Sequence, residues 1–402
     1  MKVLLLHNYY QRPGGEDVVV ARERDLLEMH GHDVRLYTVS NETVRDGWDT
    51  VRTAFHAVYS ISARRHVADE IERFRPDVVH VHNFFPLFTP SVYDACRAAA
   101  LPVIQTLHNY RLMCVNGLLL REGRVCELCV GKSVPWPGVL HACWRSRWAS
   151  GAMATMLAAH RALRTWTEKV DVYIALTGFA RVKFIQAGLP AHKVVVKPNF
   201  VHPDPGVGGG QGDYALFVGR LVPQKGVATL LAAWERLGGR IPLKIVGDGP
   251  LADQVRASAR RIPGIDWVER QRTEDVLALM KDARVLVVPS ISYESFPLVI
   301  AEAYSVGLPV IASHLGSMSS LIVVGRTGLL FRCGDPDDLA AKLTWLWTQP
   351  RHWDEMRRGA RREFEDKYSG ARNHEMLTAI YTRAMDTRGS TSLDLVTARG
   401  SS

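Results

Sequence analysis

The sequence lacks any apolar run that approaches the roughly 20 residues a helix needs to cross a bilayer. The apolar part of residues 1–7 is too short for a secretory signal peptide, so we expect a cytoplasmic protein. Only six cysteines occur in the chain, and in that compartment they argue against a disulfide framework. Basic stripes interleaved with aromatic side chains, which are typical of nucleic-acid binding, are absent as well. These absences argue against membrane-spanning, disulfide-rich and nucleic-acid-binding classes.

What the chain does have is enough apolar sequence for two domains, since 47% of its 402 residues are hydrophobic and 23% are charged. A Pro/Gly-rich stretch at 201–212 is the clearest linker. It separates a predicted N-terminal α/β domain, residues 1–200, from a C-terminal α/β domain, residues 213–386. Residues 387–402 are predicted to form a disordered tail.

The formal net charge of +9 favours anionic partners. Residues 50–75 predict a helix that is basic on one side, and arginines also surround the helix predicted over 149–167. A solvated helix face explains such a pattern. Contact with an anionic membrane surface is the more specific alternative. A phosphorylated substrate also fits the charge.

The stretch 285–311 predicts a strand, a helix and a second strand. Such βαβ units bind ligands at the carboxyl ends of their strands. Glu294 lies in the strand-to-helix turn, and Glu302 follows about two helical turns later. We expect Ser295 to cap the helix and the nearby amides to attract phosphate. An ordinary helix with one acid near its cap and one exposed remains open. The residues at this helix start are Ser295, Phe296, Pro297 and Leu298.

A second strand-to-helix turn, after the strand predicted to begin at 214, contains Gly219, Arg220 and Lys225. Arginine binds a phosphate as a planar fork and lysine binds it as a point charge, so both cations can converge on one diphosphate. Unspecific surface charge is the alternative. Farther along, Asp335 and Asp337 form an Asp-x-Asp sequence before a predicted helix, and we interpret it as a helix cap rather than a metal motif.

Two features of the N-terminal half also point to a ligand. Gly14 and Gly15 stand just ahead of the first predicted helix and let the backbone approach a ligand closely, although turn geometry alone explains such a pair equally well. His108 follows the strand predicted over 103–107, where a sugar-binding side chain is expected; a structural histidine is the alternative.

Residues 111–148 form an insert with four cysteines, two of them in a C-x-x-C pair. Four thiolates suit a tetrahedral structural zinc site, which leaves no open position for catalysis. Ordinary reduced cysteines and redox activity remain open, because only one pair has tight ligand spacing. The predicted zinc ligands are Cys114, Cys126, Cys129 and Cys143.

The Glu294-x7-Glu302 pattern within its Pro-Ser-x-x-Tyr-Glu-Ser-Phe-Pro sequence resembles the signature of retaining glycosyltransferases of family 4. That resemblance implies the GT-B fold, an α/β architecture of two Rossmann-like domains that face each other across a cleft. It also implies that Glu294 contacts the donor sugar, that Glu302 holds the ribose, and that His108 faces the sugar. The other donor-binding positions it implies are Gly14, Gly15, Gly219, Arg220, Lys225, Gly249, Arg270, Ser295, Phe296, Pro297 and Leu298.

The resemblance implies transfer of a hexosyl group from a nucleotide diphosphate sugar to an acceptor hydroxyl, with retention and without a catalytic metal. His108, Arg220, Lys225 and Glu294 would act in catalysis. A polysaccharide or lipid-linked acceptor at the inner face of the membrane suits the basic N-terminal half. A nucleotide-sugar epimerase of the same fold and a zinc-stabilised membrane-surface binding module are the alternatives. Most family members have glycine where this chain has Ser295, which is also a good cap.

Overall fold

The computed structural model describes residues 1–9, 14–40 and 58–399, without the side chains of 389–399. The chain divides into two compact units. The first unit contains Met1–Leu119, Glu127–Lys197 and the C-terminal residues from His374 onward; the second contains Leu120–Cys126 and Pro198–Asn373. Part of the basic helix predicted at 50–75 falls outside the described residues. No helix within the described ranges is both long and apolar enough to span a membrane.

The first unit is built on a six-stranded parallel sheet in the order β2-β1-β3-β4-β7-β8. Its central strands are rich in valine, isoleucine and leucine and are buried on both faces, as in sheets covered by helices. The cysteine-bearing insert contains a short antiparallel hairpin, β5–β6. The strands of the six-stranded sheet are β1 (Lys2–Tyr9), β2 (Asp33–Ser40), β3 (Val78–Asn83), β4 (Val103–Leu107), β7 (Val172–Ala175) and β8 (Val194–Val196); the hairpin strands β5 (Leu120–Arg121) and β6 (Arg124–Val125) are grouped with the second unit.

The helices of the first unit connect and cover these strands. Three of them begin at side-chain caps, because Ser60, Ser146 and Thr177 each accept a hydrogen bond from an amide in the first turn. A π-helical turn, Thr165–Lys169, precedes β7. The helices are α1 (Gly15–Met29), α2 (Ile61–Phe74), α3 (Val92–Ala98), α4 (Trp136–Leu140), α5 (Arg147–Ala162) and α6 (Gly178–Gln186).

The second unit has a parallel sheet of its own, in the order β11-β10-β9-β12-β13-β14. Counted within the unit, this is the order 3-2-1-4-5-6 of dinucleotide-binding folds. Its strands are β9 (Ala215–Val218), β10 (Leu243–Val246), β11 (Ile265–Val268), β12 (Val285–Val288), β13 (Val310–Ser313) and β14 (Gly328–Phe331). Its helices are α7 (Val227–Leu237), α8 (Ala252–Arg261), α9 (Thr273–Asp282), α10 (Leu298–Ser305), α11 (Ser317–Leu321), α12 (Pro336–Trp347) and α13 (Pro350–Lys367).

The last helix, α14 (Gly370–Arg399), corrects the predicted domain limits. From His374 onward it belongs to the first unit, where Leu377 and Tyr381 are fully buried in the core beside Leu5 and Val78. The C-terminal domain predicted to run to residue 386 therefore ends earlier, and the tail predicted over 387–402 is helical through Arg399. Local composition does not predict this packing, because the apolar side of the helix contacts a sheet whose strands are far away in the sequence.

In each sheet the strand order reverses at one point, between β1 and β3 in the first unit and between β9 and β12 in the second. At such a switch point the loops leave the sheet in opposite directions, and a crevice opens at the carboxyl ends of the strands. The topology thus selects two places to look for functional side chains. They are the ends of β1 and β3, and the ends of β9 and β12.

Candidate functional site

In the second unit, the turn after β9 is pressed against the end of β12. Gly226 has a φ of +72°, and a Cβ added there would lie 1.8 Å from the Pro289 carbonyl oxygen. Only glycine permits that approach. As a result Lys225 reaches the loop between β12 and α10, and its Nζ lies 2.6 Å from Oε2 of Glu294.

The Glu294 carboxylate is held at both oxygens, because Ser290 donates its hydroxyl to Oε1 while Lys225 contacts Oε2. The carboxylate side chain is 13% exposed and the lysine 32%. At this exposure the two charges still attract each other, because water screens them only in part, yet water and ligands can reach both side chains. The sequence assigned Lys225 to phosphate and Glu294 to sugar as separate contacts; here the two side chains form one ion pair.

The other positions predicted in the second unit lie in the loops after its strands or on α10. Arg220 is exposed in the turn after β9, and Arg270 is exposed after β11. Gly219 and Gly249 lie in adjoining turns, since a Cβ on Gly249 would meet the Leu221 carbonyl oxygen at 2.6 Å. Glu302 lies partly buried on α10.

The start of α10 differs from its predicted form. Pro297 is the N-cap residue and the helix begins at Leu298, with no side-chain cap. Ser295 is buried, and its carbonyl oxygen accepts a hydrogen bond from the Ser317 hydroxyl at 3.3 Å. The prediction that Ser295 caps this helix is therefore wrong. Phe296 is also buried, with its ring 5.8 Å from that of Tyr368.

The Asp-x-Asp sequence is a helix cap, as predicted. The Asp335 carboxylate accepts hydrogen bonds of 3.0 Å from the amides of Asp337 and Asp338 at the start of α12. A carboxylate engaged by the first amides of a helix also complements the helix dipole.

In the first unit, the start of α1 is tied to the end of β1. The Gly14 amide donates to Oδ2 of Asp17 at 2.7 Å, and Oδ1 of the same carboxylate lies 2.7 Å from Nε2 of His7. Among the residues that the structure describes, which exclude 10–13, no heavy atom lies within 4 Å of a Cβ added to Gly14 or Gly15. Packing against the described residues therefore requires neither glycine.

A cluster of buried titratable side chains lies at the switch point of the first unit. Glu23, 1% exposed, has Oε2 3.0 Å from the ammonium of Lys197, which is 2% exposed. Its Oε1 lies 3.2 Å from His80 Nδ1 and 3.2 Å from His82 Nε2. His82 continues the chain, with Nδ1 3.1 Å from Nε2 of His108. The predicted His108 thus lies at the end of a row of charged and aromatic groups.

The pKa values in this cluster follow from burial and from the Lys197 charge. Burial acts to raise the pKa of Glu23, but Lys197 and the neighbouring histidines outweigh it and hold that pKa well below its ordinary value. Burial and then repulsion from His80 lower the pKa of His82 to about 3. Burial likewise brings the pKa of His108 well below its ordinary value. The carboxylate is charged and both imidazoles are neutral at neutral pH.

Glu16, next to this cluster on α1, behaves in the opposite way. Burial first, and repulsion from Asp17 second, raise its pKa to about 8. Asn83 donates to Oε1 of Glu16 at 3.3 Å. The adjacent Asp17 carboxylate lies 2.7 Å from the His7 imidazole.

The predicted zinc ligands are not assembled in this structure. Within the described part of the chain, the groups of three or more candidate ligand atoms within 4.8 Å of one another are Glu23–His80–His82 and His7–Glu16–Asp17; neither contains a cysteine. The Cys114 thiol instead donates to the Asn116 side chain, and the Cys129 thiol points to the Pro135 carbonyl. The positions of Cys126 and Cys143 do not complete a set, and the structural zinc stays a prediction.

Sequence reasoning singled out one member of the histidine cluster and missed the others. His7, His80 and His82 all lie at or near the carboxyl ends of switch-point strands, so the same rule that selected His108 applies to them. Glu23 and Lys197 carried no local signal, because they are 174 residues apart and meet only in the folded sheet.

Comparison with known proteins shows which families and folds the chain resembles. Residues 13–205 match the family model described as Glycosyltransferase Family 4, and residues 212–349 match Glycosyl transferases group 1. The chain resembles the structure of Anabaena Alr3699/HepE in complex with UDP, with a TM-score of 0.68 at 17% identity over 95% of this chain and all of that one. Sucrose-phosphate synthase from Thermosynechococcus elongatus gives a TM-score of 0.70 at 16% identity, over 96% of this chain and 99% of that one. The fold is GT-B.

The two family models match consecutive parts of the chain, the Family 4 model first and the group 1 model second. Among sequence relatives, D-rhamnosyltransferase WbpZ of Pseudomonas aeruginosa is 31% identical over 39% of this chain and 42% of its own length. Glycosyltransferase MJ1178 of Methanocaldococcus jannaschii is 34% identical over 34% of this chain and 39% of its own length. Glycogen synthase of Mycobacterium tuberculosis is 25% identical over 78% of this chain and 70% of its own length. The chain spans about two fifths of the first two.

Proposed function

We propose that this protein transfers a hexosyl group from a nucleotide diphosphate sugar to an acceptor hydroxyl, with retention of the anomeric configuration. The observation that carries the proposal is the Lys225–Glu294 ion pair at the switch point of a 3-2-1-4-5-6 sheet. The family matches agree with it, as do relatives named as a rhamnosyltransferase and a glycogen synthase. Polysaccharide or glycolipid synthesis is the proposed role.

Breaking the anomeric bond places positive charge on the sugar and negative charge on the departing diphosphate. We assign Arg220 and Lys225 to the diphosphate, together with the amides that open α10 near Leu298. When the Lys225 ammonium turns to the phosphate, the Glu294 carboxylate is released and accepts a hydrogen bond from a hydroxyl of the sugar. Glu302 accepts hydrogen bonds from the ribose hydroxyls. These cations perform the task often given to a metal ion, so we expect EDTA to leave the rate unchanged.

The protonation state of His108 indicates what it offers a ligand. His82 is neutral, so only one of its two ring nitrogens carries a proton. The nearby Glu23 carboxylate favours that proton on Nε2 of His82, although this N–H bond does not point directly at the carboxylate oxygen. His82 Nδ1 then accepts a hydrogen bond from Nε2–H of His108. Nδ1 of His108 is left as an acceptor. We propose that it accepts a hydrogen bond from a hydroxyl of the donor sugar.

The experiment is a panel of UDP-, GDP- and ADP-sugars scored by thermal shift, because a ligand of the native state raises the melting temperature. The donor that binds is then incubated with candidate acceptors, and the product's anomeric configuration is read by NMR. A product with the donor's configuration supports the proposal. Inverted product would overturn retention, and a sugar epimerised or released without acceptor would favour the epimerase alternative.

A further inference from the structure

The segment between Glu127 and Glu168 has an unusual charge balance. It contains no acidic residue and five Lys or Arg residues. Arg164 is paired with Glu168 at 2.9 Å, and Arg161 donates to the carbonyl oxygens of Lys132 and Ala187. The exposed charge is therefore concentrated on Lys132, Arg145 and Arg147.

The same segment exposes large apolar side chains. Trp148, in the first turn of α5, is 90% exposed, and Trp136 and Leu140 on α4 are each 56% exposed. An indole left almost wholly in water has no role in the core of its own unit. Trp and Tyr favour membrane–water interfaces, because one end of the ring is apolar and the other can hydrogen-bond.

Trp136 and Leu140 border an apolar groove of about 680 Å³, which is also lined by Arg147, the residue before Trp148. Its floor is formed by small residues one turn apart on α5, and Arg147 lies at one end. The walls are the loop before α4 and α4 itself. The floor consists of Gly151, Ala154 and Ala158, and the walls of Val134, Trp136 and Leu140.

The groove is anchored to the rest of the first unit. A Cβ added to Gly138 of α4 would lie 2.5 Å from Val115 Cγ2, so α4 packs closely on the preceding loop. The Arg161 contacts bind the loop at Lys132 to α5. Ser150 of α5 accepts a hydrogen bond from the Trp144 amide at 2.9 Å. The exposed apolar side chains thus project from a packed scaffold.

We propose that this face, defined by the groove residues Trp136, Leu140 and Arg147 together with the exposed Lys132, Arg145 and Trp148 of the same segment, docks on an anionic lipid bilayer. The basic side chains complement the lipid phosphates, at about 1 kcal/mol each near the surface. The tryptophans and Leu140 enter the boundary between headgroups and acyl chains. The docking is independent of the proposed transfer reaction.

Charge complementarity favours a bilayer over a second copy of the chain. A two-fold interface brings the same patch of both subunits together, so each cation would meet its own counterpart or a neighbouring cation. With no acid between Glu127 and Glu168, nothing in the patch would balance that repulsion. An anionic leaflet supplies the missing charge and the apolar environment together.

The test is flotation of the purified full chain with vesicles of phosphatidylcholine alone or mixed with phosphatidylglycerol, at rising salt. We expect binding to the anionic vesicles that weakens as salt screens the charges. Trp148→Ser and the double variant Arg145→Gln/Arg147→Gln should each weaken binding at least about tenfold. Val324→Ser and Arg272→Gln, which alter an exposed apolar and an exposed basic side chain of the second unit, should bind like the wild type.

Three outcomes would overturn the proposal. They are no flotation at low salt, equal binding of wild type and patch variants, and wild-type dimers in sedimentation that Trp148→Ser dissociates. Circular dichroism of each variant separates loss of docking from loss of folding. Because vesicle binding needs no nucleotide sugar, failure here leaves the transferase proposal intact, and absence of transfer leaves the docking result intact.

Discussion

The lysine–glutamate pairs at the two switch points, one in each unit, lie in opposite environments. In the first unit, the Glu23 and Lys197 side chains are 1% and 2% exposed, whereas in the second Glu294 and Lys225 are 13% and 32% exposed. A buried pair cannot lose one partner without leaving an uncompensated charge. A partly exposed pair can exchange partners at small cost. The buried pair is therefore suited to hold neighbouring groups in position, and the exposed pair is suited to bind a ligand.

The largest effect should come from breaking the buried pair. Glu23→Gln keeps the side-chain shape but leaves the Lys197 ammonium buried without its counter-ion, and we expect a loss of about 3–5 kcal/mol in the free energy of unfolding. Denaturant titration measures it. The double variant Glu23→Leu/Lys197→Met removes both charges and should recover much of the loss. A Glu23→Gln variant as stable as the wild type would contradict the assignment.

The exposed pair should respond in activity rather than stability. Lys225→Ala and Arg220→Ala should each lower turnover at least tenfold, about 1.4 kcal/mol or more, because the departing diphosphate loses a cation. Steady-state kinetics with the identified donor measures the effect, and unfolding curves should change little. Arg256→Ala, an exposed arginine on α8 of the same unit, is the matched control. Wild-type rates in both variants would refute the role of this turn.

A smaller effect should connect the buried cluster to the reaction. His82→Phe keeps an aromatic ring but removes the acceptor for Nε2–H of His108, so the latter can exchange tautomers. We expect turnover to fall several-fold with little change in nucleotide affinity, measured by kinetics and by calorimetry with the free nucleotide. An equal loss of nucleotide affinity would instead indicate general damage to the fold, and unaltered turnover would exclude a positioning role.

The smallest effect concerns pH. The folded-state pKa of His82, about 3, lies below its ordinary value of 6.5, so stability is lost as pH falls below about 6.5, where only the unfolded chain takes up the proton. The pKa of Glu16, about 8, lies above its ordinary 4.5, so its contribution to stability is lost as pH rises from about 4.5 to 8. Below pH 6.5 this loss is opposed by the gain from His82 and from His108, whose pKa is also lowered, so we expect the melting temperature to decline only above about pH 6.5. Water reaches Glu16 in part, which limits the alkaline effect.

Glu16→Gln is the matched test of the alkaline side. Glutamine stays neutral in both states, so the decline between about pH 6.5 and 8 should flatten, while the acid side should persist. Melting curves over this range are enough to compare the two proteins. An unchanged alkaline decline would show that another group titrates there.

Local patterns were sufficient for much of the second unit. The turn containing Gly219 and Lys225, the cap at Asp335 and the βαβ unit around Glu294 are encoded within short stretches, where glycine placement and apolar runs determine the backbone. The start of α10 was misjudged, because proline in the first turn can itself occupy the N-cap position and leave Ser295 buried. The cysteine spacing did not reveal where the sulfur atoms lie, since a loop can present them in different directions.

Local sequence was enough to predict the alternation of strands and helices and the residue types at the ends of the strands, because these depend on neighbours within a few positions. Tertiary structure alone decided that Glu23 meets Lys197 and the histidines, that Tyr381 of the last helix joins the first sheet, and that Lys225 pairs with Glu294. Such contacts join distant parts of the chain. They depend on strand order and burial, which no local spacing records.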